Sequence, residues 1–168
     1  MKKYILTGAP GCGKSSIAQR LEIRYGEHVI REAAEDYIRM RQAEGQKQPW
    51  TDSDFQQKIL ELQIQRDARV PKDAARVFID RGYEDGLAYS SEKALTENIR
   101  KAGGSYTKVF LIENLGSTHT NEVRRENHEE AMRLEKRFEE IYKAKGYEVV
   151  RIPSTGLAER VQKILEEL

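Results

Sequence analysis

Short apolar runs alternate along this chain with segments in which apolar residues recur every three or four positions. The short runs are typical of buried strands, and the longer period is typical of amphipathic helices. The runs predict five strands, at about residues 2–7, 27–31, 76–80, 108–112 and 147–152. The longer period predicts helices at about residues 13–25, 32–43, from a capping box at 51–54 to about 70, and 84–101. Two more helices are predicted from their apolar faces, one that carries Ala131, Leu134, Phe138 and Ile141 and is stopped by Gly146, and a last one that carries Val161, Ile164, Leu165 and Leu168.

Strands that alternate with helices predict an α/β fold, in which a five-stranded parallel sheet carries helices on both faces. The crossovers are expected to be right-handed, and ligands are expected beyond the carboxyl ends of the strands. Four residues lie just past predicted strand ends and should line one crevice there: Gly8, Glu32, Asp80 and Glu113. The whole chain, residues 1–168, is expected to form a single domain.

Composition narrows the class of protein. The 29 Lys and Arg residues balance 28 Asp and Glu residues, so nothing calls for bulk nucleic acid or an acidic surface as a partner. The one cysteine excludes an internal disulfide and suits a reducing compartment. No apolar run approaches the ~20 residues of a membrane span, and no signal peptide precedes the first strand. We therefore expect a cytoplasmic protein with no membrane partner.

The segment Gly8–Ser15, with the sequence GAPGCGKS, fits the phosphate-binding pattern G-x-x-x-x-G-K-[ST] between a predicted strand and a predicted helix. Glycines let the backbone approach a ligand closely, and successive N–H groups form an anion nest at the helix N-terminus. Lys14 is expected to reach the β- and γ-phosphates, and Ser15 to supply a hydroxyl to Mg²⁺. The fold is therefore expected to be the three-layer P-loop NTPase fold, with ATP and Mg²⁺ as ligands. The residues expected to bind the nucleotide are Gly8, Ala9, Pro10, Gly11, Cys12, Gly13, Lys14, Ser15 and Ser16.

Asp80 and Arg81 indicate the class of reaction. An acid at the end of an apolar strand is the expected partner of the P-loop serine through Mg²⁺. Motor-type ATPases usually follow this acid with a glutamate that activates water, whereas here Arg81 follows, and no N-K-x-D run for guanine recognition occurs. An acceptor that carries an anion or a hydroxyl fits better than water. The structural alternative is that Asp80 caps the next helix and Arg81 is a surface charge.

The segment Asp80–Tyr89, DRGYEDGLAY, resembles the D-R-x-x-x-D/S-x-x-A-Y segment of P-loop nucleotide and nucleoside kinases, thymidylate kinase among them. Three further segments, Arg31–Glu35, Arg125–Ala131 and Tyr142–Pro153, resemble those of small AAA-type ATPases and NadR-like kinases. Thymidylate kinases usually place an aromatic residue after D-R. Gly82 stands there instead, which argues against thymidylate itself as the acceptor.

The resemblance implies catalytic roles beside that of Lys14. Asp80 would hold Mg²⁺ through water or accept the acceptor's proton, and Arg81 would orient the acceptor. Glu32 would bind an acceptor hydroxyl or serve as the base. Arg124 and Arg125 would stabilise charge on the transferring phosphoryl group, in a lid at about residues 113–126.

The resemblance also implies an acceptor pocket. Asp85 and Tyr89 would line it, and Glu35 is the alternative to Glu32 as hydroxyl ligand or base. The acids of the helix that begins near residue 32 also suit its dipole without any function. A solvated helix face explains Arg124 and Arg125 in a similar way, and Trp50 is either a stacking platform or a core anchor.

Together these features predict an ATP- and Mg²⁺-dependent phosphotransferase that acts on a nucleoside, a nucleotide or a similar small metabolite. An ATPase or ATP-dependent regulator without such an acceptor is one alternative. A nucleic-acid end kinase is another, although the near-neutral charge argues against nucleic acid as a partner. A nucleotide-sensing interaction module is the third, and the oligomeric state stays open.

Overall fold

The computed structural model of the chain describes residues 1–116 and 128–168. Its strands lie where the apolar runs predict them, although the second and fifth are shorter. The strands are β1 (Lys2–Thr7), β2 (His28–Ile30), β3 (Arg76–Asp80), β4 (Lys108–Ile112) and β5 (Val149–Ile152). The helices are α1 (Lys14–Tyr25), α2 (Ala33–Ala43), α3 (Phe55–Asp67), α4 (Lys93–Ala102), α5 (His128–Ala144) and α6 (Leu157–Glu166).

The five strands form one parallel sheet in the order β2-β3-β1-β4-β5. The order reverses at β1, which lies between β3 and β4, and Leu6 of β1 is in register with both Asp80 and Phe110. In such sheets the crevice at the carboxyl ends of the strands, beside the point of reversal, is where ligands bind. The topology therefore brings the chain that follows β1 next to the end of β3.

The core has a layer on each face of the sheet. On one face, α1 and α6 pack on alternate strand side chains, with Leu6 and Phe110 among the fully buried ones. On the other face, Ile5 and Val109 pack with Tyr142 of α5. The predicted three-layer α/β arrangement is thus confirmed. No helix in the described ranges combines the length and the apolar character that a membrane crossing requires.

Two predicted helices differ in the structure. The third begins at Phe55 rather than at the predicted capping box, because the Thr51 hydroxyl donates to the Gln48 carbonyl at 2.8 Å within a 3₁₀ turn, Pro49–Thr51. The helix predicted over 84–101 is divided into a 3₁₀ segment, Tyr83–Ala88, and α4. Asp85, fixed against the sheet, holds the first of these pieces in the core.

Candidate active site

The loop between β1 and α1 has the backbone that the phosphate-binding pattern requires. Gly8 has φ of 143°, and a Cβ there would lie 2.5 Å from the carbonyl oxygen of Ile112 at the end of β4. A side chain at this position is therefore excluded by both conformation and space. Gly13, with φ of 91°, directly precedes α1, so the loop leads straight into the helix N-terminus.

Lys14 lies inside this loop rather than on the surface, with only 4% of the residue exposed. Its ammonium group donates to the carbonyl oxygens of Gly8, at 2.8 Å, and Ala9, at 3.0 Å. The charge is thus held beside the main-chain amides at the helix N-terminus. An ammonium and a set of N–H groups together make a site for a polyphosphate.

Arg160 of α6 contacts the phosphate loop at Cys12 and Gly13, a role that sequence reasoning missed. Its Nη2 donates to the carbonyl oxygen of Cys12 at 2.6 Å, and its Nη1 lies 3.0 Å from where a Cβ on Gly13 would stand. Burial lowers the pKa of this guanidinium, which is 3% exposed. The only sequence signal is an arginine four residues before Ile164, on the buried face of the last helix.

Ser15 and Asp80, predicted to be partners through Mg²⁺, lie in direct contact in the structure. The Ser15 hydroxyl donates to Asp80 Oδ2 at 3.0 Å, while Asp80 Oδ1 is buried and has no hydrogen-bond partner in the described structure. Mg²⁺ uses hard oxygen ligands and often only one or two from the protein, with phosphate and water completing the shell. The hydroxyl and the orphaned carboxylate oxygen fit that requirement. No group of three or more His, Cys, Asp or Glu side chains that could hold a metal occurs within residues 1–116 and 128–168.

Burial and the nearby Glu32 carboxylate raise the pKa of Asp80 to about 6. Lys14, Arg81 and the Ser15 hydroxyl act in the opposite direction but do not outweigh burial. A cation bound beside Asp80 would stabilise the ionised carboxylate, which burial and Glu32 otherwise disfavour.

Arg81 links two acids beside this pair. Its Nε donates to Glu32 Oε1 at 2.8 Å, and its Nη1 lies 3.5 Å from Asp85 Oδ2. Burial disfavours the charge of Arg81, but Glu32 leads the neighbours that raise its pKa well above the usual value. Burial alone would raise the pKa of Glu32, and the charges of Arg81 and Lys14 outweigh it, so the pKa is lowered. Both groups are therefore ionised at neutral pH.

The backbone and the ring contacts of Arg81 are also unusual. Its φ of 71° is the only positive value among the described residues other than glycine, and such strain is typical of functional sites. The guanidinium carbon lies 5.8 Å from the ring centre of Tyr89 and 5.6 Å from that of Phe138. Contacts with two rings and two acids hold this side chain in one position.

Asp85 is anchored by three elements. It accepts hydrogen bonds from the Thr7 hydroxyl at 3.0 Å and from the Tyr142 hydroxyl at 2.6 Å, in addition to its contact with Arg81. The same Tyr142 hydroxyl would lie 2.4 Å from a Cβ on Gly82, which explains why glycine follows Arg81 here. Sequence reasoning missed Thr7 and Tyr142, because only packing brings β1 and α5 to this point.

The titration of Asp85 gives a prediction for stability. Burial raises its pKa to about 6, from 3.8 in the unfolded chain, against the opposing effects of Arg81, Tyr142 and Thr7. The folded protein therefore binds this proton more tightly, and the resulting stability is fully present below pH 3.8 and is lost as the pH rises through 6. Between pH 4 and 7 the free energy of unfolding should fall by ~2–3 kcal/mol relative to an Asp85→Asn variant.

Urea unfolding at several pH values, followed by circular dichroism, measures this difference. The exposed Asp73→Asn is the matched control, whose unfolding curve should stay parallel to that of the unchanged protein. A constant difference between the protein and Asp85→Asn across the pH range would contradict the raised pKa.

One cavity of about 480 Å³ joins the phosphate loop to the acids and then runs between α2 and α3. Predicted residues on its walls are Pro10, Gly11, Gly13, Lys14, Ser15, Ser16, Glu32, Glu35, Arg81, Asp85 and Tyr89. Its far end is mostly apolar, and sequence reasoning missed the residues there: Ile38, Phe55, Ile59, Leu60 and Leu95, with the amides of Gln56 and Gln63. A cavity of this size and mixed chemistry suits a small organic ligand beside a phosphate group.

Other predicted residues lie elsewhere. Of the four strand-end residues predicted to line one crevice, only Glu32 is on the wall of this cavity, and the prediction is wrong for Gly8, Asp80 and Glu113. Glu113 is bound by Arg151 at 2.8 Å instead. Trp50 packs against the apolar cluster of α2 and α3, which is the core-anchor alternative. Arg124 and Arg125, with most of the predicted lid at 113–126, lie outside the described residues.

Solved structures share this fold at low sequence identity. NadR in complex with NAD and AMP-PNP is similar over 97% of this chain, with a TM-score of 0.72 and 17% identity. The deoxyadenosine kinase of M. mycoides is similar over 98% of this chain and 97% of its own, with a TM-score of 0.70 and 15% identity. The thymidylate kinase of Ehrlichia chaffeensis is similar over 99% of this chain and 97% of its own, with a TM-score of 0.68 and 15% identity.

The extent of these matches differs. The present chain spans about half of NadR, 47% of its length, but nearly all of the two kinases. No curated protein gives a significant sequence match. A sequence model described as an AAA domain matches residues 3–160, which is nearly the whole chain. The chain therefore belongs to this AAA domain family, and it has the fold of the P-loop nucleoside and nucleotide kinases.

Proposed function

We propose that the protein is an ATP- and Mg²⁺-dependent phosphotransferase that transfers the γ-phosphoryl group to a hydroxyl of a nucleoside, a nucleotide or a similar small molecule. The observation that carries the proposal is one continuous cavity that runs from the phosphate loop past Glu32 and Arg81 to a mostly apolar end. Donor and acceptor can then lie end to end without water between them.

The donor half of the proposal rests on the loop. The main-chain amides and Lys14 would hold the β- and γ-phosphates, and Ser15 with Asp80 would hold Mg²⁺, which supplies positive charge to the phosphate oxygens. A complex of NadR with the ATP analogue AMP-PNP supports ATP as the donor in this fold. Phosphoryl transfer needs mainly positioning and charge stabilisation, which this rigid cradle provides.

The acceptor half rests on Glu32. Its lowered pKa leaves it ionised at neutral pH, and it lines the cavity beside Lys14. The acceptor oxygen would attack the γ-phosphorus as the bond to the β–γ bridging oxygen breaks, and the hydroxyl proton would pass to Glu32. Arg81 fixes the direction in which Glu32 points through the 2.8 Å contact.

A label-transfer experiment tests the proposal. The protein is incubated with Mg²⁺, ATP labelled in the γ-phosphate and a library of nucleosides, nucleotides and other hydroxyl metabolites. A labelled organic product is expected. The Glu32→Gln variant should form it at least ~10² times more slowly than the unchanged protein. Release of labelled inorganic phosphate at the same rate with and without every library member would instead establish an ATPase.

A further inference from the structure

We infer that the acceptor that binds in this cavity has no phosphate group of its own. It is a nucleoside, which reacts through a free hydroxyl, rather than a nucleoside monophosphate. The inference rests on the proposed phosphotransfer and narrows its substrate. The fold leaves the choice open, because it is shared with both a deoxyadenosine kinase and a thymidylate kinase.

The charges on the cavity wall favour an uncharged acceptor. Among its described lining residues there are three cations, Lys14, Arg39 and Arg81, and three carboxylates, Glu32, Glu35 and Asp85. Lys14 belongs to the phosphate loop, where the donor would use its charge. The acceptor region is thus left with two cations against three acids, and a phosphate dianion would be repelled there.

The two remaining cations are already paired. Arg81 is 7% exposed, lies 2.8 Å from Glu32 and 3.5 Å from Asp85, and contacts the rings of Tyr89 and Phe138. Recognition of phosphate by arginine usually needs its forked N–H groups free to bind two oxygens. Withdrawing this guanidinium from its partners would leave the buried Asp85 and the partly buried Glu32 uncompensated.

Arg39 is paired in a different way. It lies at the mouth of the cavity on α2, with 65% of its side chain exposed, and its Nη2 donates to Glu35 at 2.8 Å. The Glu35 carboxylate would compete with a bound phosphate for this guanidinium, and solvent weakens whatever attraction remains.

The far end of the cavity, between α2 and α3, offers a phosphate no cation. Phe55, Ile59 and Leu60 of α3 line it together with the neutral amides of Gln56 and Gln63, and the Gln63 amide already donates to the carbonyl oxygens of Arg81 and Gly82. Burying a charged group against such walls is strongly unfavourable, whereas a planar ring gains from the contact. The ring of an acceptor therefore occupies this end, and its free hydroxyl faces Glu32 and the phosphate loop.

Direct binding tests this inference independently of turnover. The protein, with Mg²⁺ and a non-hydrolysable ATP analogue at saturation, is titrated by calorimetry with matched pairs: adenosine and AMP, deoxycytidine and dCMP, thymidine and dTMP. The best nucleoside is expected to bind at least ~10 times more tightly than its own 5′-monophosphate. A monophosphate that binds as tightly as its nucleoside, or the absence of binding by every nucleoside, overturns the inference.

A charge variant provides a second measurement. Glu35→Gln removes one acid and frees Arg39, so the preference for nucleoside over monophosphate should narrow by ~3–5-fold. Glu61→Gln, an equally solvent-facing acid on α3 that pairs with Lys58 away from the cavity, should leave the preference unchanged. An unchanged preference in Glu35→Gln contradicts the role given to the wall charges. Nucleoside binding without label transfer would refute the phosphotransfer and leave the preference of the site intact.

Discussion

Lys14→Ala is expected to lower kcat/KM for phosphoryl transfer by ~10²–10³-fold or more, because the variant loses the one ammonium in the phosphate loop. In the structure this group is nearly buried and fixed by two carbonyl oxygens of the loop, so its position is set before any ligand arrives. A fixed charge stabilises the developing charge on the phosphoryl group without any reorganisation. Label transfer under saturating Mg²⁺ measures the loss.

The matched controls separate charge from packing. Lys14→Met keeps most of the aliphatic length of the side chain and should lose activity almost as completely as alanine. Lys58→Ala, which removes an exposed lysine that pairs with Glu61 on α3, should keep full activity. Normal turnover by Lys14→Met with intact folding would show that the loop does not bind the reacting phosphates.

The loop and the strand-end residues could be predicted because their chemistry is local in the sequence. The spacing of Gly8, Gly13 and Lys14 encodes a backbone conformation and a charge within eight residues. Asp80 and Arg81 end an apolar strand, and parallel strands bring such ends together. The sequence pattern predicts five parallel strands, but it does not predict their order in the sheet or which of them is central.

The supporting residues could not be predicted, because packing between distant elements creates their roles. Arg160 reaches Cys12 from 148 positions away, and Tyr142 reaches Asp85 from 57 positions away. Neither position differs in sequence from an ordinary residue on a buried helix face. Glu113 is the opposite case. It follows a strand end, as the sequence shows, but it pairs with Arg151 instead of lining the cavity, and the sequence pattern does not reveal this partner.

Arg81→Met is expected to lower the free energy of unfolding by ~3–5 kcal/mol, because it leaves the buried Asp85 and the partly buried Glu32 without their shared cation. The backbone strain at φ of 71° is the same for methionine and arginine, so it does not enter the difference. The volume is also similar, which limits any cavity contribution. Urea unfolding at neutral pH measures the loss, and Arg133→Met on the exposed face of α5 should leave the midpoint unchanged.

A second substitution shows whether charge or packing causes that loss. Glu32→Gln added to Arg81→Met removes one of the two uncompensated acids, so the double variant should be more stable than Arg81→Met alone. Catalysis should not return, because the candidate base and the group that orients it are both absent. Strict additivity of the two single effects would mean that the 2.8 Å contact contributes no coupling, and Arg81 would then act through its ring contacts instead. A departure from additivity would show that the Arg81–Glu32 contact both stabilises the carboxyl end of the sheet and fixes the direction of Glu32.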